Sequence, residues 1–412
     1  MHKSAMEPMV PDVAPLEDIS LRLLAGASAL AATLPTETSR TVADLLRVTN
    51  CYYSNRIEGH NTHPADIERA MRNEFAEDPT IRTLQREARA HIEVEALVNK
   101  RLNEELAMRI SSAAFIRWVH RQFYDRVPDE LRFVADPNTN RREPVIPGDF
   151  RHHDVLVGTH YPPPFEDVPE FLDRFEEAYP LDGTQSVRTI VAFGASHHRL
   201  MWIHPFSDGN GRVIRLFSSA YARRIGLGSC GLWSISRGLA RRRADYMSYL
   251  AGADSVRRSD YDGRGALSNA ALLEFCDFFL DTCLDQVAYM RELLDLEHLG
   301  ERCVRYAKLR AENAAPGPFR GAAPIREEAG LILRETLIRG EIQRGEAPRM
   351  TGLGRTISGQ VVKGLLDEGL LKSESPKGSL RVGLPNHAVQ YLFPQLFPEG
   401  IIADFKTTIG FG

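Results

Sequence analysis

Two stretches of helical spacing, residues 186–203 and 209–224, are separated by a short run that no helix would favour, His204-Pro205-Phe206-Ser207-Asp208-Gly209. Apolar residues recur at three- and four-residue intervals on both sides. Between them Pro205 lacks a backbone donor, and Gly209 can take backbone angles that other residues avoid. The chain must therefore turn sharply between two packed helices. Helical spacing also covers 17–34, 38–47, 65–126, 168–179, 239–250 and 267–299, so an all-α body is expected. Residues 127–164 break the pattern with prolines and glycines. Within them Asp154-Val155-Leu156-Val157-Gly158 alternates, which predicts a small hairpin there.

A run containing Pro316, Gly317, Pro318, Gly321 and Pro324 reads as a linker. Beyond it the spacing predicts a helix over 325–339, a shorter one near 351 and a third over 355–368. A polar hairpin is expected over 371–384 with Lys377-Gly378 at its tip, and residues 385–398 read as an apolar closing segment. The expected division is an N-terminal helical region over 1–110, a core over 111–312 and a small domain over 325–412.

Charge and cysteine usage narrow the function classes. A net charge of −4 over 412 residues argues against a surface built wholly for nucleic acid or anionic lipid. The five cysteines, Cys51, Cys230, Cys276, Cys283 and Cys303, are scattered and form no C-x-x-C pair, which disfavours a disulfide framework or a structural zinc site. Residues 1–16 contain no apolar signal core, and the alanine-rich segment 21–34 suits a packed helix better than a membrane span. A cytoplasmic protein without membrane association is the expectation.

The block from His204 to Arg215 carries chemistry as well as geometry. Gly209 and Gly211 allow successive backbone N–H groups to face an anion, at the start of a helix whose partial positive charge favours it. Arg212 and Arg215, three residues apart, can present guanidinium groups on one helix face, matched to phosphate oxygens. Asp208 can hold a magnesium ion bridging phosphates. His204 can take a proton from an alcohol near neutral pH. His197 and His198 precede this block without the spacing of a metal pair, and read as structural or surface histidines.

His204-Pro205-Phe206-Ser207-Asp208-Gly209-Asn210-Gly211-Arg212-Val213-Ile214-Arg215 resembles the signature of the Fic (filamentation induced by cyclic AMP) family, H-x-F-x-[DE]-G-N-G-R-x-x-R, at every specified position. The resemblance implies an all-helical core with a β-hairpin flap over the target segment. It implies His204 as general base, Phe206 as loop anchor, Asp208 as Mg²⁺ ligand and Asn210 as a phosphate contact. Gly209 and Gly211 complete the anion cradle, and Arg212 and Arg215 grip the distal phosphates. The implied reaction transfers AMP from ATP to a Tyr, Thr or Ser hydroxyl of a protein target, with Mg²⁺ as cofactor. The flap edge is expected at Asp154, Val155, Leu156, Val157, Gly158, Thr159 and His160, pairing with an extended peptide.

Ser54-Asn55-Arg56-Ile57-Glu58-Gly59 fits a second pattern of that family, [ST]-x-x-x-E-[GN], carried on an autoinhibitory helix. The resemblance implies that Glu58, supported by Ser54, pairs with Arg215 and withholds it from the γ-phosphate. Some relatives use the same glutamate to remove AMP, so a deAMPylating or bifunctional enzyme is an alternative. The order of elements after the linker resembles a winged helix, which serves DNA binding in some proteins and protein contact or self-assembly in others. A nucleotide-responsive DNA-binding regulator is therefore a further alternative. Homodimerisation and self-modification are also expected from the resemblance.

Overall fold

The computed structural model describes residues 2–135, 142–181, 186–319 and 321–397. The chain forms two compact units. One comprises Met1–Ser28, Asn50–Ser229 and Trp233–Val287; the other comprises Ala29–Thr49, Cys230–Leu232 and Ala288–Gly412.

The first unit is helical, and its helices begin where the sequence supplies side-chain caps. Asp78 accepts from the N–H groups of Thr80 (2.8 Å) and Ile81 (3.0 Å), ahead of Pro79 and the helix Pro79–Glu104. Ser112 starts Ala113–Tyr124 in the same way, and Ser186 starts Val187–Ile203. The last of these is buried on almost every face and forms the centre of the unit. Gly194, midway along it, faces Phe279 and Cys276, which even an added Cβ would meet at ordinary van der Waals distance. His197 and His198 lie inside this core. His197 shares hydrogen bonds with Ser218 (2.7 Å) and Tyr246 (2.8 Å), and His198 with the Leu250 carbonyl (3.1 Å).

The β-structure of this unit sits earlier than the alternation at 154–158 suggests. An antiparallel pair joins Phe133–Ala135 to Arg142–Pro144, with Val134 opposite Glu143. Residues 154–160 contribute a single bridge between Val157 and His160. Leu156 and Val157 are well exposed, so the alternation there does not mark one buried face and lacks the drive to form a ladder.

After residue 325 the second unit runs helix, strand, helix, helix, strand, strand, a winged-helix-like arrangement. The helices of that run are Ala329–Arg339, Ala347–Thr351 and Arg355–Asp367. A three-stranded antiparallel sheet places Leu380–Val382 between Glu341–Ile342 and Leu371–Lys372. The strand Glu341–Ile342 is too short to leave a periodic signal; Gly340, at φ 83°, ends the helix before it. Asn386–Leu392 is a short helix whose Ala388, Val389 and Leu392 are buried, while Pro398 of the expected closing segment lies outside the described residues. Thr38 donates to the Leu337 carbonyl at 2.9 Å, and Arg381 pairs with Glu37 at 3.3 Å.

Among the described residues no single helix is long and apolar enough to cross a membrane. All five cysteines are free, and four of them are buried.

The helices Leu296–Ala311 and Ala329–Arg339 meet at Gly330, where an added Cβ would stand 2.7 Å from the Val304 Cα and 3.1 Å from the Ala307 Cβ. Gly330→Val should therefore force the pair apart and destabilise the second unit by about 1–3 kcal/mol. Thermal unfolding would show this as a lowered transition; an unchanged transition would mean that the helices separate at little cost.

Candidate active site

The helix Val187–Ile203 ends at His204, which takes the left-handed conformation (φ 48°, ψ 62°), and the next helix starts at Gly209 (φ 78°). A non-glycine residue held left-handed stores strain and needs surroundings that fix it. Arg151 supplies them. Its Nε donates to the His204 carbonyl at 2.9 Å and its backbone N–H to the Pro205 carbonyl at 3.0 Å. The same buried guanidinium donates to the carbonyls of His153 (3.1 Å) and Pro163. One side chain thus fastens the segment 151–163 to the turn.

Inside the turn Phe206 is fully buried and stacks on His120 with ring centroids 3.9 Å apart. Asn210 closes the loop: its Oδ1 accepts from the Phe206 N–H (3.0 Å) and its Nδ2 donates to the Phe206 carbonyl (2.8 Å). The resemblance suggested a phosphate contact for Asn210. Here its side chain serves the loop, and its backbone N–H is among the first donors of the helix Asn210–Arg224, which lack partners within the helix.

Asp208 is oriented from two sides. Tyr124 donates its hydroxyl to Oδ2 at 2.6 Å, and His120 Nε2 lies 3.3 Å from the Asp208 carbonyl. Because His120 Nδ1 accepts from the Gly148 N–H at 2.9 Å, its proton belongs on Nε2, which then donates to Asp208. Burial lowers His120 to about 4, so the ring is neutral as this pattern requires. Tyr124 also explains Gly209, where an added Cβ would come within 2.7 Å of the phenol ring.

His204 is partly exposed, yet its imidazole is lowered to about 4, first by burial and then by the neighbouring Arg151 and His160. It is therefore neutral and able to accept a proton at pH 7. His160 anchors the segment 154–160 beside the turn, with Nε2 2.8 Å from the Trp202 carbonyl, while Asp154 accepts from the Phe165 N–H at 2.9 Å.

Both arginines of the block are engaged by carboxylates. Arg215, 2% exposed, reaches Glu58 Oε1 at 2.6 Å and donates to Ser54 Oγ (3.0 Å) and the Ser54 carbonyl (3.2 Å). Burial pushes the Glu58 carboxyl up, but Arg215 and Arg212 outweigh it and leave the group below its ordinary value. The Glu58 carboxylate also presses against Gly211, where any Cβ would collide with Oε1. It thus sits at the helix N-terminus, where an anion is favoured by up to about 2 kcal/mol. Arg212 pairs with Glu87 and lies with its guanidinium carbon 5.5 Å from the centre of the Phe123 ring.

Ser54, Glu58 and the residues from His204 to Arg215 therefore converge, with the segment 154–160 fastened nearby through His160. Arg151, His120, Tyr124, Glu87 and His60 join them without any motif to announce them. Glu87 alone left a trace in the sequence: it lies three residues after Leu84 and four before His91, on the stripe that packs inward.

Residues 110–222 match the Fic/DOC family. The chain is 30% identical over 128 residues to a protein adenylyltransferase Fic of Drosophila willistoni, covering 31% of this chain and 25% of the fly protein. The corresponding Drosophila sechellia protein is 29% identical over 128 residues. The match spans about a quarter of the length of these curated relatives. In three dimensions the chain resembles a Fic family protein from Desulfovibrio desulfuricans G20, with a TM-score of 0.51 and 17% identity over 89% of this chain and 97% of that one. It also resembles a Fic domain containing signaling protein from Bacteroides thetaiotaomicron, with a TM-score of 0.51 and 19% identity over 66% and 96% of the two chains. The turn, the helix start that follows it and the paired arginines thus lie in a segment, residues 110–222, that is a Fic/DOC family domain.

Proposed function

We propose that this chain is a protein adenylyltransferase, held inactive by Glu58, that transfers AMP from ATP to a hydroxyl of a protein. The observation that carries the reading is the position of Glu58, whose carboxylate lies against Gly211 and on Arg215. The chain's own anion fills a place built for an anion. A nucleotide triphosphate needs that place and that cation.

With Glu58 withdrawn, the first N–H groups of the helix Asn210–Arg224 and the guanidinium groups of Arg212 and Arg215 are available to phosphate oxygens. The hydroxyl oxygen of the target forms a bond to the α-phosphorus, and the bond from that phosphorus to the bridging oxygen of pyrophosphate breaks. The hydroxyl proton passes to neutral His204, and pyrophosphate leaves with the electron pair. Donors already fixed around the phosphates stabilise the charge that grows there without rearranging. The segment 154–160, which His160 ties to the Trp202 carbonyl, would line up the target hydroxyl.

Among the described residues no group of three or more His, Cys, Asp or Glu side chains could hold a metal ion without other ligands. Asp208 fits a magnesium nucleotide nonetheless, because Mg²⁺ commonly takes one or two carboxylates together with phosphates and water. Tyr124 fixes the carboxylate through Oδ2. When bound there, the ion would neutralise phosphate charge.

Incubation with α-labelled ATP tests the reading. Glu58→Gly should raise self-labelling at least about tenfold, and His204→Ala added to it should lower labelling by about 10²–10⁴-fold. A folded Glu58→Gly protein that acquires no label, with or without added candidate targets, would remove transfer as the activity.

The brake also has a pH signature. Because the Glu58 carboxyl is depressed in the folded state, its contribution to stability is present above the ordinary carboxyl value and is lost as pH falls through the depressed one. The melting-temperature difference between the wild type and Glu58→Gln should hold steady from pH 8 to pH 6 and shrink below about pH 4. A difference that disappears near neutrality would mean that the carboxylate is not held by Arg215.

A further inference from the structure

Arg212 and Arg215 are both paired with carboxylates, but the two carboxylates are placed differently. Glu58 follows the helix Thr36–Ile57 by one residue, precedes Gly59 at φ 86°, and is 31% exposed. It can leave. Glu87 is 2% exposed and sits well inside the helix Pro79–Glu104, which packs against the helix Asn210–Arg224. It cannot leave without unfolding that helix.

The two oxygens of Glu87 have separate duties. Oε1 pairs with Arg212, and Oε2 lies 2.7 Å from His60 Nδ1. A carboxylate can only accept, so the His60 Nδ1–H donates to Glu87, and that bond raises His60 from its ordinary value. Held at both oxygens, the carboxylate has a fixed direction. Arg212 is fixed in turn, between Glu87 and the Phe123 ring. Its buried Nε–H nevertheless finds no acceptor among the described residues, so one donor of an immobilised guanidinium is left over.

The acidic groups facing Arg212 are Glu87, Glu58 and Asp208. A triphosphate would displace Glu58, and Asp208 would be drawn into holding its metal. Glu87 would remain. His91, four residues further along the same helix face, is buried and lowered to about 3 by burial and by Arg215 and Arg212, so it adds no charge.

We infer that Glu87 is a positioning residue for Arg212: a permanent buried counter-charge that orients this guanidinium toward the distal phosphates before nucleotide arrives. The inference rests on the proposed adenylyl transfer. It goes beyond the family match, because Glu87 and His60 lie outside residues 110–222. It also separates the two carboxylates by role, since Glu58 competes with the nucleotide whereas Glu87 prepares for it.

The experiment uses the full chain carrying Glu58→Gly, so that the brake is absent, and compares it with Glu87→Gln and Glu87→Ala in the same background. Dissociation constants for ATP and for AMP are measured by calorimetry, and KM and kcat for ATP by self-labelling. Loss of one fixed, charge-assisted contact should weaken ATP by about tenfold in Glu87→Ala, and by less in Glu87→Gln, which keeps the shape. AMP, which lacks the distal phosphates, should bind within about twofold of the parent, and the kinetic loss should fall on KM rather than kcat.

Equal weakening of ATP and AMP would overturn the inference in favour of general damage to the fold, with circular dichroism and the milder Glu87→Gln variant as controls. ATP affinity that is unchanged or tighter would overturn it as well, the tighter result marking Glu87 as a second brake. If the Glu58→Gly parent binds ATP normally, any of these failures leaves adenylyl transfer standing. If the parent binds no ATP, the functional reading falls and takes this inference with it.

Discussion

The turn His204–Gly209 has to connect two buried helices without a helix of its own, and the surroundings of the site answer that constraint. A left-handed histidine is strained, so its carbonyl is tied down by Arg151. The loop that follows cannot hydrogen-bond as a helix, so Asn210 closes it on Phe206, and Phe206 is clamped against His120. The next helix begins at Gly209, at φ 78° and close against Tyr124, so its unpaired donors open onto one spot. Strain, anchoring and anion affinity are three consequences of one reversal.

Two arginines beside that spot pose an electrostatic problem of their own. A buried guanidinium without a counter-charge costs several kcal/mol, and both are nearly sealed from water. The fold meets the two costs in different ways. Arg212 has a carboxylate on a long, packed helix, whereas Arg215 has one just beyond the end of a helix, at a glycine. The first pair is part of the architecture, and the second is the one that the proposed function exchanges for an incoming anion. In both, the chain itself supplies the counter-charge that burial demands.

Much of the helical body could be read from spacing, because a helix that buries one face repeats its apolar residues every three or four positions. The winged-helix-like tail was legible for the same reason, except for Glu341–Ile342, whose two residues are too few for any period to repeat. The hairpin was expected at 154–158 and its ladder is instead at Phe133–Ala135 and Arg142–Pro144. Alternation records which side chains differ, not which face is buried, and at Leu156 and Val157 neither face is well covered. Helical spacing over 65–126 showed a helix there but not that Glu87, a charged residue on its inward stripe, is a buried counter-ion.

The sequence by itself determined that a glycine-rich turn would open onto a helix carrying two arginines, with an imidazole and a carboxylate in the loop. Those residues are neighbours along the chain, and local backbone chemistry fixes their relation. The pattern at 54–59 already pointed Glu58 and Ser54 at Arg215. Only the tertiary structure decided which other groups face the turn: Glu87 and His60 beside Arg212, Tyr124 on Asp208, and Arg151 behind His204. Such partners are chosen by burial, which makes an unpaired charge or donor costly and so selects whichever distant segment can satisfy it. That selection depends on how helices pack, and apart from the place of Glu87 on an inward stripe no spacing along the chain records it.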